Sequence, residues 1–123
     1  MRRTPVAESA EDRILEAAEA SQRFRAGAFY LVLRALERAQ HARGRVDHVT
    51  GRDLLESLRD IARREYGPMA LTVLEHVGLR STLDVGELVF LMIDWKLLRK
   101  RDEDSLDEFR DVYDFEEAFT YEW

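Results

Sequence analysis

Five consecutive apolar residues, Phe29-Tyr30-Leu31-Val32-Leu33, constrain this chain more than any other feature. Ala35, Leu36 and Ala39 continue the pattern at helical spacing, which predicts a helix over 24–41 rather than a strand. A helix that is apolar on all sides must be surrounded by other elements. Leu88-Val89-Phe90-Leu91-Met92-Ile93, bounded by Glu87 and Asp94, makes the same demand. With Val85 and Trp95 it predicts a second buried helix over 82–98. Six residues fall far short of the roughly 20 that a membrane helix needs, so no membrane association is expected.

Capping residues and helix breakers place the remaining helices. Ser9-Ala10-Glu11-Asp12 reads as a helix start, because a serine hydroxyl can accept from free backbone amides and Asp12 suits the first turn. Thr50-Gly51-Arg52-Asp53 starts another helix, with Leu54, Leu55, Leu58, Ile61, Ala62 and Tyr66 as its apolar stripe. Gly67-Pro68 ends that helix and opens the next, which Gly78 closes. Ser81-Thr82-Leu83-Asp84 caps the helix that follows. Ser105-Leu106-Asp107-Glu108 is a further capping box, and Asp114 caps a last turn through Phe119. These signals predict a mainly α fold, a compact bundle of five to six helices. A winged alternative would pair Leu97–Arg101 with Phe109–Tyr113 as a small C-terminal β-hairpin. Two units of apolar helix, polar loop and capped segment, 28–55 and 86–109, form a weak internal repeat.

The 123 residues amount to one domain. Residues 1–8 are charged and lack periodicity, which predicts a flexible tail. Residues 9–101 form the helical domain. Residues 102–123 change character, with ten acidic residues and six aromatics. Six aromatics in one segment of a soluble chain should not all stay exposed, so the segment is expected to pack on the domain.

Charge and chemistry narrow the functional classes. Net charge is −6, unevenly spread: residues 1–67 hold 13 arginines against 11 carboxylates, and residues 68–123 hold 6 basic against 14 acidic residues. An acidic whole disfavours sequence-independent nucleic-acid binding. Cysteine is absent, which excludes disulfides and thiolate zinc and fits a reducing compartment. No apolar run follows Met1-Arg2-Arg3-Thr4-Pro5, so no secretory leader is expected and the cytoplasm is the expected location. The three histidines are too sparse for a multi-histidine metal site. Asp102-Glu103-Asp104 departs from a calcium loop, with Leu106 at its fifth position. No catalytic constellation and no cofactor is expected.

Three functional readings survive. The first is a non-enzymatic protein-interaction or adaptor module that binds a protein partner or a second copy of itself through Phe109, Tyr113, Phe115, Phe119, Tyr121 and Trp123. Aromatics offer contact area, and the acids among them steer toward a basic partner. The second is a nucleic-acid-associated regulator using Arg52, Arg59, Arg63 and Arg64 with a helix-turn-helix-like unit at the turn before Thr82. Against it, that recognition helix would present Thr82, Asp84 and Glu87 where base readers carry Arg, Lys, Asn or Gln. The third is a small ligand site or enzyme around His48, Thr50 and Asp84.

Several strings together resemble a known family. They are His48-Val49-Thr50-Gly51 with Asp53-Leu54-Leu55; Tyr66-Gly67-Pro68-Met69-Ala70; Ser81-Thr82 with Asp84 and Gly86; Val89-Phe90; Asp104-Ser105 with Phe109; and Tyr113 through Phe119. They are similar to a family of bacterial conserved hypothetical proteins described as an uncharacterised repeat protein, over about residues 24–119. The resemblance implies a small bacterial protein with an internal repeat and no established activity. It marks His48, Thr50, Asp53, Ser81, Thr82 and Asp84 as family-motif positions. Val77 stands where the resemblance leads one to expect a tryptophan.

Overall fold

The computed structural model describes residues 9–43, 49–99 and 105–120. Among them are six α-helices: α1 (Ala10–Ser21), α2 (Ala26–Arg43), α3 (Gly51–Tyr66), α4 (Ala70–His76), α5 (Thr82–Asp94) and α6 (Phe115–Phe119). Two 3-10 turns, Gly67–Met69 and Leu106–Phe109, complete the regular structure.

The expected caps form. Ser9, Thr50, Ser81 and Asp114 each accept a backbone N–H in the first turn of α1, α3, α5 and α6. Thr50 and Asp53 make a reciprocal capping box, as do Ser105 and Glu108. Both halves of the sequence repeat therefore carry a capped start, but the second runs into a four-residue 3-10 turn instead of a helix.

The long apolar helix packs as its composition requires. Ala28, Phe29, Leu31, Val32, Ala35 and Ala39 of α2 are buried, chiefly against Leu54, Leu55, Leu58, Ile61 and Ala62 of α3. Ser57 reaches the same interior and donates to the Ala35 carbonyl at 2.8 Å, so its hydroxyl is buried but satisfied. Tyr30 and Leu33 are the exceptions among the apolar five, since Tyr30 stays partly exposed and Leu33 half-buried.

The second apolar helix is shorter than expected, ending at Asp94 rather than near 98. Lys96 adopts a left-handed backbone (φ 59°), and the Leu97 amide turns back to donate to the Met92 carbonyl at 2.8 Å. That is how helices commonly close. Arg13 of α1 completes the end by donating to the carbonyls of Trp95 and Lys96 at 2.5 and 2.8 Å.

The β-hairpin alternative is not formed. The described residues contain no strand: Leu97–Arg99 is irregular, Phe109 closes the Leu106–Phe109 3-10 turn, and residues 110–113 form turn and bend, while Lys100 and Arg101 lie outside the described residues. The Leu106–Phe109 turn packs on α5 and α3, and α6 packs on α3 and α4. No described helix is long and apolar enough to cross a membrane.

Candidate interaction site

The motif positions converge, and what they build is a structural junction around Phe109. The Phe109 ring lies between two glycines. A Cβ at Gly86 would come within 2.5 Å of Phe109, and one at Gly51 within 3.1 Å of its ring. Glycine at both positions is thus a condition of the packing. Thr82, 1% exposed, donates to the Phe109 carbonyl at 2.6 Å and accepts from Val112 N–H at 3.3 Å. Glu108 accepts from Gly51 N–H at 2.8 Å and from Ser105 N–H at 3.3 Å, so one carboxylate joins the start of α3 to the C-terminal segment. A carboxylate there also meets the positive end of the α3 dipole.

Four of the six aromatics of the C-terminal segment face inward. Phe109, Phe115 and Phe119 are buried, and Tyr113 is half-buried with its hydroxyl donating to the Leu55 carbonyl at 2.8 Å. Phe115 and Phe119 meet edge to face at 5.1 Å between centroids. Burial lifts the Tyr113 hydroxyl well above the ordinary tyrosine range, and the Arg59 cation offsets only part of that. The reason is economy of apolar surface: α3 and α4 offer a face that these rings cover. Tyr121 and Trp123 lie outside the described residues.

The arginines proposed for nucleic acid are distributed differently from a binding stripe. Arg59 stacks over the Tyr113 ring, 4.9 Å from its centroid, and Arg63 donates to the Ala118 carbonyl at 3.2 Å. Both therefore help hold the C-terminal segment. Arg52 lies 3.9 Å from Glu56, and Arg64 is exposed beside α2. The N-terminus of α5 is closed as a recognition surface, because Thr82 is buried and Asp84 pairs with Arg23 at 2.5 Å.

The third grouping is not assembled either. His48 lies outside the described residues. Thr50 and Asp84 line two different depressions. Asp84 accepts from Arg80 N–H at 2.9 Å. Among the described residues no three His, Asp or Glu side chains are placed to hold a metal ion.

A depression of about 640 Å³ between α2 and α3 is lined mainly by charged side chains, among them Arg34, Glu37, Arg38, Arg64 and Glu65, and two others remain to be weighed. The larger lies between the turn joining α1 to α2 and the end of α4, and is lined by Arg23, Arg25, His76, Arg80 and Asp84. Its charges are largely spent within the protein. Arg23 pairs with Asp84 and Glu87, which raise its pKa despite the opposing effect of burial. Arg25 donates to the His76 carbonyl at 3.1 Å.

The second is an apolar groove of about 400 Å³ between α2, the start of α3 and α5. Leu36, Val89, Phe90, Ile93, Leu97 and Leu98, all half-buried, form its walls, and Phe109 contributes to its lining from the junction described above. Gln40, Thr50, Arg99 and Glu108 supply polar groups. Its volume falls within the range of ordinary ligand sites, and an apolar wall with few polar groups is their usual construction. Of its lining residues only Phe109 and Thr50 were candidate site residues from the sequence, and Val89 and Phe90 entered only as one of the family strings. The available signal was an α5 too apolar for a small bundle to cover.

The molecule is thus an all-α bundle with an apolar concave surface between its two apolar helices. Comparison with protein families, with curated proteins and with solved structures gave no match.

Proposed function

We propose that this protein is a non-catalytic protein-interaction module that seats an apolar segment of a partner in the groove between α2 and α5. The observation that supports the reading is the groove itself, a concave wall of six half-buried aliphatic and aromatic side chains. Two helices flanking an apolar channel suit an amphipathic helix, which inserts anchors spaced one turn apart. The tail aromatics, spent largely on the protein's own core, contribute indirectly by placing Phe109 beside the channel. The resemblance to a bacterial repeat family belongs to the same proposal and adds no activity to it.

The test is selection of displayed random peptides on the wild-type protein, with counter-selection on Phe90→Asp and, separately, Leu97→Asp. Each variant must first retain the helical circular dichroism of the wild type. The expected result is enrichment of sequences with two or three apolar anchors at helical spacing, whose binding is lost in both variants. Enrichment that ignores both substitutions, or none at all, overturns the reading. Steeply salt-dependent binding of mixed DNA or RNA, unaffected by the groove variants, would favour a nucleic-acid role instead.

A further inference from the structure

We draw no further inference here: the strongest candidate, the apolar groove between α2 and α5, belongs to the site already described, and with one arginine against one glutamate in its described lining nothing in the structure shows what covers it.

Discussion

Substituting Gly86 by alanine should destabilise the protein, although alanine is the better helix former. A glycine within a helix costs about 1 kcal/mol relative to alanine, so the backbone alone favours the change. The new Cβ, however, would lie 2.5 Å from Cγ, 2.6 Å from Cβ and 2.7 Å from Cδ2 of Phe109. Cβ and Cγ lie on the axis about which the ring turns, so turning it does not clear them. The Leu106–Phe109 turn would have to retreat by about 1 Å to restore ordinary contact near 3.6 Å. Retreat strains the 2.6 Å hydrogen bond from Thr82 to the Phe109 carbonyl, worth about 1 kcal/mol. Overpacking a core costs about 1–3 kcal/mol, and expelling a phenylalanine about 3–5. The expected net loss is about 2–4 kcal/mol, read from urea unfolding followed by circular dichroism. In a Phe109→Ala background the same methyl group enters empty space, and there Gly86→Ala should be neutral or stabilising by up to about 1 kcal/mol. A Gly86→Ala protein as stable as wild type, or more so, would refute the wedge.

Three further outcomes follow from individual contacts. Thr82→Val keeps the shape but leaves the buried Phe109 carbonyl without its donor, and urea unfolding should show a loss of about 1–3 kcal/mol. Lys96→Gly should raise stability by about 0.4–1 kcal/mol in urea unfolding by relieving a left-handed residue; a loss of stability would contradict strain at that position. Tyr113 predicts alkaline sensitivity. Its folded-state pKa is raised by burial, so its contribution is complete below the unfolded tyrosine value near 10 and falls as pH climbs above it. Urea midpoints measured from pH 9 to 11 should fall in the wild type, and fall less steeply in Tyr113→Phe.

Much of the fold was legible because its signals are local. Ser9, Thr50, Ser81, Ser105 and Asp114 are short polar side chains ahead of apolar periodicity, and each caps where its position indicates. The end of α5 was not legible. Leu97 and Leu98 continue the apolar run, and nothing in the sequence announces that Lys96 turns left-handed and that Arg13, 83 residues away from it, seals the last carbonyls. The Phe109 junction was half legible. A lone glycine inside an apolar helix signals close approach by something, and Gly86 is such a glycine. That the visitor is Phe109, which also meets Gly51, depends on a contact between three segments that no local pattern encodes.

The candidate site moved from the tail to the groove for a reason already contained in the two apolar helices. A helix apolar on every side needs neighbours on every side. α2 largely obtains them from α1, α3 and α5. α5 does not, for the C-terminal segment covers one side through Phe109 while Val89, Phe90 and Ile93 stay half-exposed on another. The acidic-aromatic segment satisfies its composition by turning Phe109, Phe115 and Phe119 inward and leaving Asp107, Asp114, Glu116 and Glu117 in water. Its composition alone fits a docking tail and a core-covering strap equally well, since both need rings on one side and charge on the other. The deciding quantity is uncovered apolar area elsewhere: a strap is required where α3 and α4 would otherwise be bare. With the strap in place there, Leu15, Tyr30 and Met69 stay exposed as single side chains, whereas the wall of α5 is a contiguous apolar surface, and an interaction site belongs where contiguous burial is still to be gained.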